Sequence, residues 1–174
     1  IHRVFPHADT VKLLRSYRST LEITEFAQSI SRNPDLIAME RHGEVPVALG
    51  FASNIEELNE LRSAIDSFKA STYQSMGVIC KTEKQAVSLY EQLKAPDIHL
   101  LTSDSTTFTS GVIITTAHLS KGLEFDEVIV PFASASNYKT DVDRSMLYIA
   151  CTRAMHRLTL TYVNEKSEFV ESLP

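Results

Sequence analysis

Short apolar runs of strand length recur along the chain, with amphipathic helical stretches between them, and this alternation limits the fold more than any other feature. The runs are Val47 to Phe51, Met76 to Cys80, Ile98 to Leu101, Val112 to Thr116 and Val128 to Phe132. In a sixth, Leu158, Leu160 and Tyr162 alternate with Thr159 and Thr161, the pattern of a strand with one half-polar face. Ser19-Thr20-Leu21-Glu22 has the form of a capping box and predicts a helix over about residues 20 to 31, with Ile23, Phe26, Ala27 and Ile30 at helical spacing. Asn54 with Glu57 opens a second helix, whose stripe is Ile55, Leu58, Leu61, Ile65 and Phe68. Thr82-Glu83-Lys84-Gln85 opens a third, with Ala86, Leu89, Tyr90 and Leu93 on one side, and it stops before Pro96. Val142 to Cys151 reads as a fourth. Strand and helix in alternation predict an α/β fold with a mainly parallel sheet and helices on both faces, in one domain without a Gly- or Ser-rich linker.

Charge narrows the partners. Seventeen Lys and Arg stand against 22 Asp and Glu, a formal charge of −5, so the surface as a whole lacks the basic field of a free-standing nucleic-acid binder. Any such contact is local. Residues 1–32 hold five basic side chains (Arg3, Lys12, Arg15, Arg18, Arg32) against three acidic ones (Asp9, Glu22, Glu25). No stretch approaches the roughly 18 apolar residues of a membrane span, and no secretory leader opens the chain. Cys80 and Cys151 sit in apolar contexts that suit buried thiols, which fits a cytoplasmic protein. The first residue, Ile1, is not Met, and the chain reads as a piece of something longer.

Ligands of parallel sheets sit where loops leave the carboxyl ends of strands, which directs attention to three charged loops. These are Ser16-Tyr17-Arg18, His118 to Phe125, and Thr152-Arg153. A guanidinium holds phosphate oxygens through parallel hydrogen bonds, so Arg18 and Arg153 are candidate phosphate contacts. Tyr17 beside Arg18 adds an aromatic face of the kind that stacks on a purine. In the middle loop Gly122 permits a left-handed backbone, while Lys121 and Glu124 offer opposite charges. The residues alone read equally well as a solvated turn with an incidental ion pair, and Tyr17 equally well as core. None of the five glycines is followed by Lys, which excludes a P-loop. Asp126-Glu127 precedes its apolar run rather than ending it, unlike a magnesium-binding pair. The six histidines and two cysteines lack metal-ligand spacing.

Ala117-His118-Leu119-Ser120-Lys121-Gly122-Leu123-Glu124-Phe125 resembles motif V of the superfamily 1 helicases of the UvrD, Rep and PcrA group. Leu147-Tyr148-Ile149-Ala150-Cys151-Thr152-Arg153-Ala154 resembles their motif VI, and Leu13-Leu14-Arg15-Ser16-Tyr17-Arg18-Ser19 their motif IV, all in the family's order. The resemblance implies that residues 1–174 form the second RecA-like motor domain, called 2A, with no Walker A of its own. Only 99 residues separate Arg18 from His118, too few for a 2B insertion beside the predicted strands and helices. That compactness is similar to helicase IV and the HelD-like proteins, and the HelD-like alternative makes RNA polymerase a partner.

Carried over by position, the resemblance implies ATP with Mg²⁺, held mainly by a first RecA-like domain of the same protein that carries the P-loop. Tyr17 would stack on adenine, Arg18 and Arg153 would meet the γ-phosphate, and Gly122 and Glu124 would line the nucleotide cleft. His118 and Lys121 would face single-stranded DNA. The implied activity is that of an ATP-dependent DNA helicase or translocase, with this domain inactive in isolation. Two departures stand out: Ser16 occupies a position where Asn is usual, and Met155-His156 follows motif VI where acidic residues are common.

Overall fold

The computed structural model describes residues 15–16, 18–31, 37–38, 40–93, 95–105 and 111–173. In chain order the elements are β1 (Arg15–Ser16), α1 (Leu21–Ser31), β2 (Ile37–Ala38), β3 (Val47–Phe51), α2 (Asn54–Lys69), β4 (Ser75–Cys80) and α3 (Glu83–Leu93). They continue with β5 (Ile98–Leu100), β6 (Gly111–Thr116), β7 (Phe125–Val130), α4 (Asp141–Cys151) and β8 (Ala154–Val163), and a 3-10 turn spans Glu168–Val170. Strands β1 and β2 pair with each other. The other six form one sheet in the order β3, β8, β7, β4, β6, β5, and every pairing in it is parallel. This is the predicted α/β architecture.

Strand alternation divides the core into two layers. Ile79, Ile113, Val128 and Val130 pack under α1 and α4 with Ile23, Phe26, Ile30 and Leu147. On the other face Val78, Ile114 and Ile129 pack with Leu61, Ile65 and Phe68 of α2 and Leu89 of α3. Helices therefore cover both faces, which is why the central strands are apolar on both sides.

Of the three expected helix starts, two change. The α3 capping box forms, since Thr82 Oγ1 accepts from the Gln85 N–H (3.3 Å) and Gln85 Oε1 from the Thr82 N–H (3.1 Å). Helix α2, however, is capped one residue earlier than the sequence pattern indicated. Ser53 accepts from the Glu56 N–H, Glu56 reaches back to the Ala52 N–H, and Ile55 is left 71% exposed. At α1 the expected box is absent: Ser19 donates instead to the Ala154 carbonyl (2.6 Å), Glu22 accepts from the Gly43 N–H and meets His42, and the buried Thr20 hydroxyl has no partner.

Strand β7 begins at Phe125, three residues before the apolar run, because the two acids in it are satisfied. Asp126 Oδ2 accepts from the Gln74 and Ser75 N–H groups and from the Ser75 hydroxyl, and Glu127 pairs with Arg157. Burial, the larger influence, raises the Glu127 pKa, and the Arg157 charge opposes that shift.

Candidate functional site

Strand order fixes where the charged loops lie. Between β6 and β7 the chain must pass β4, and it does so through residues 117–124 alone. Ala117 and Leu123 pack into the layer under α1 and α4, so this connection runs across that face. Cys80 of β4 is level with Thr116, and Met76 is level with Glu127. Six residue rises of about 3.3 Å then separate the levels of Thr116 and Phe125, about 20 Å. His118 thus stands by the carboxyl edge of the sheet and Glu124 by the amino edge.

At the amino edge three sequence segments meet. The Arg18 Nε donates to Glu124 Oε1. Arg153 lies half-buried beside them, donating from Nε to the Ile149 carbonyl (3.2 Å), from Nη1 to the Leu123 carbonyl (3.3 Å) and from Nη2 to Thr152 Oγ1 (3.2 Å). Burial lowers the pKa of Arg153, the charge of Arg18 adds to that effect, and Glu124 and Tyr148 oppose it. A guanidinium stays protonated under such pressure. The site therefore contains two cations and one carboxylate, and Arg153 has only neutral acceptors among the described residues.

Backbone ties hold the segments in register. The Phe125 N–H donates to the Arg153 carbonyl (3.0 Å), joining the loop to the start of β8. Ser19 anchors the Arg18 segment to Ala154. Arg41 Nη2 donates to the carbonyls of Arg18 and Met155, while its own carbonyl accepts from the Leu21 N–H (2.8 Å). Within the crossing loop the buried Ser120 hydroxyl donates to the Ala117 carbonyl (2.9 Å), and the Leu123 N–H to the Ser120 carbonyl (3.0 Å). Gly122 turns with φ +86°, a conformation that favours glycine, and an added Cβ would meet nothing within 4 Å. Backbone conformation, not packing, requires the glycine.

Arg18, Glu124 and Arg153 are thus brought together, with Gly122 two residues from Glu124. They stand at the amino ends of β7 and β8, not at carboxyl ends as the general rule for parallel sheets indicated. The reason is that motif-bearing loops here precede their strands. His118 and Lys121 are exposed and have no side-chain partner among the described residues. Tyr17 lies outside the described residues. Arg41 was missed by sequence reasoning: it stands in an aperiodic stretch, and its two carbonyl partners are 23 and 114 residues away.

The family model for the UvrD-like helicase C-terminal domain matches residues 111–161, which run from β6 into β8 and include Gly122, Glu124 and Arg153. The crystal structure of the C-terminal domain of a possible DNA helicase from Lactobacillus plantarum WCFS1 is 30% identical to this chain. The match covers 91% of this chain and 94% of that one, with a TM-score of 0.76. The chain belongs to the UvrD-like helicase C-terminal domain family. A DNA complex of arterivirus nonstructural protein 10, a helicase, is a more distant likeness, 9% identical over 80% of this chain and 31% of that one, with a TM-score of 0.49. No curated protein matches. As a UvrD-like C-terminal domain, the chain has the RecA-like architecture that the motifs implied, and no helix among the described residues is long and apolar enough to cross a membrane.

Proposed function

We propose that this UvrD-like domain is the second half of an ATP-driven motor, offering Arg18 and Arg153 to the γ-phosphate of ATP bound chiefly by an N-terminal RecA-like domain. The observation that carries the reading is the charge imbalance at the amino edge, where two guanidinium groups share one carboxylate and Arg153 is partly desolvated with only neutral hydrogen-bond acceptors among the described residues. An incoming phosphate oxygen supplies the missing negative charge, and paired guanidinium groups suit its geometry. In phosphoryl transfer such arginines stabilise charge that spreads over the γ-phosphate oxygens. Tyr17 would stack on adenine, and Gly122 and Glu124 would line the same cleft. Magnesium would be held by the N-terminal domain, since this chain has no P-loop.

The crossing loop supplies coupling. It ties Glu124 and, through the Leu123 carbonyl, Arg153 at one edge to His118 at the other, so a shift at the nucleotide edge reaches a strand of single-stranded DNA against His118 and Lys121. The activity assigned is ATP-dependent DNA translocation or unwinding by the full-length protein. Arg153→Ala in that protein is expected to lower ATP turnover by about 10³- to 10⁵-fold with nucleotide affinity much less altered. Wild-type turnover in the variant removes Arg153 from the role.

A further inference from the structure

At the carboxyl edge of the sheet, across from the arginine site, lies a cavity of about 330 Å³ walled by Glu57, Gln85, Phe132, Asn137 and Asn164, among others. Sheet topology opens it. The chain leaving β4 travels through α3 toward β5, and the chain leaving the neighbouring β7 travels through α4 toward β8, so the two loops diverge above adjacent strands. Such a divergence is where open α/β sheets take ligands. A phosphate site there would need glycine-rich backbone, but the loop after β4 reads Lys81-Thr82-Glu83, and Lys81 is engaged by Asp143 and the Asn137 carbonyl. The buried polar group on this wall is instead the carboxyl group of Glu57.

Glu57 is 1% exposed. Its Oε1 accepts from the Phe132 N–H (3.0 Å) and the Thr161 hydroxyl (2.6 Å), while its Oε2 is buried with no donor among the described residues. No cation among the described residues is within ion-pair distance of it. A carboxyl oxygen buried without a partner lacks the compensation that burial normally demands. Backbone strain points to the same place. Phe132 (φ +61°) and Asn164 (φ +65°) are the non-glycine residues with positive φ among the described residues, and both line this cavity. Hydrogen bonds from Asn137 Nδ2 to the Phe132 carbonyl (2.8 Å) and from Gln85 Nε2 to Asn137 Oδ1 (3.1 Å) hold the wall in shape before any ligand arrives. An adjoining groove of about 350 Å³ shares Phe132 and Gln85 and is floored by Leu58 and Leu89, with Lys84 on the groove and not on the cavity.

We propose that this cavity binds a compact organic cation, an alkylguanidinium or alkylammonium head that donates to Glu57 Oε2 while its methylene stem lies along Leu58 in the groove. A long cationic side chain or a polyamine has this division into apolar stem and charged head. The ligand thus comes from one of two sources, a free polyamine or an arginine or lysine side chain of another polypeptide.

Titration of the ¹⁵N-labelled 174-residue chain with ethylguanidinium, and with ethylurea as its neutral counterpart of similar shape, tests the proposal. Saturable shifts at Glu57, Phe132 and Asn164 are expected with a Kd on the order of 1 mM for ethylguanidinium, and at least roughly tenfold weaker binding for ethylurea. Glu57→Gln should abolish the preference. The comparison of the two ligands on the unaltered chain stands even if that variant does not fold. Putrescine and acetyl-Gly-Arg-Gly-amide, titrated in parallel, separate the sources, the tighter binder naming the one. Equal response to the charged and neutral ligands, no saturation, or shifts confined to other regions would each overturn it.

Discussion

Gly77→Ala probes how the core sets the position of the arginine site. Gly77 lies in β4, and a Cβ built there would stand 2.6 Å from Cδ2, 2.8 Å from Cε2 and 2.9 Å from Cγ of Phe125. That ring is fully buried, so it cannot swing into solvent. Overpacking of this kind costs about 1–3 kcal/mol. Three ring atoms under 3.0 Å on a 0%-exposed side chain put the expected cost in the upper half of that range. Phe125 also opens β7 and donates its N–H to the Arg153 carbonyl, so relief of the clash displaces the arginine segment. Phe125→Leu alone removes buried surface and should cost about 1–2 kcal/mol. Combined, the two substitutions relieve each other, and the double variant should be at least about 1 kcal/mol more stable than the sum of the single losses. Urea denaturation of the four proteins measures this. Additive losses would refute the contact as the source of the cost.

Two further predictions concern protons and positioning. Burial pushes the Cys80 thiol up to about 12 and raises Cys151 as well, so both remain protonated in the folded chain while unfolded thiols ionise near about 8.5. Raised folded values mean stabilisation that is present below the unfolded value and lost as pH rises. The unfolding free energy from denaturant titrations should therefore fall between pH 8 and 10 by roughly 2 kcal/mol per thiol, and Cys80→Ala should remove about half of the pH-dependent part. A flat profile would contradict the burial of the thiols. Arg41→Ala in the full-length protein should lower ATP turnover by about 10- to 100-fold with little change in KM, because it frees the carbonyls of Arg18 and Met155 without touching nucleotide. Arg41→Lys should restore part of the loss, and unchanged turnover in Arg41→Ala would deny it a positioning role.

The architecture was legible because the helices and buried strands obey local rules. Thr82 and Gln85 cap α3 as their spacing indicates, and the apolar runs from β3 to β6 match their strands within a residue or so. Misreadings arose where a local rule competed with a tertiary partner. Ser53 and Asn54 are adjacent capping residues, and only the fold shows that Ser53 caps α2 while Glu57 turns inward to Phe132 and Thr161. The α1 box fails because the carbonyl of Ala154, 135 residues away, takes the Ser19 hydroxyl. The motifs located Arg18, Glu124 and Arg153 in the sequence, but their gathering at the amino edge depends on the order in which β6 and β7 flank β4, which no local pattern encodes.

The central claim is that Arg18 and Arg153 act on one γ-phosphate, and a double-mutant cycle on ATP turnover of the full-length protein tests it most directly. Groups acting as a unit lose their effect together. Arg18→Ala combined with Arg153→Ala should therefore be little slower than the slower single variant. Single losses that multiply in full would contradict a shared target.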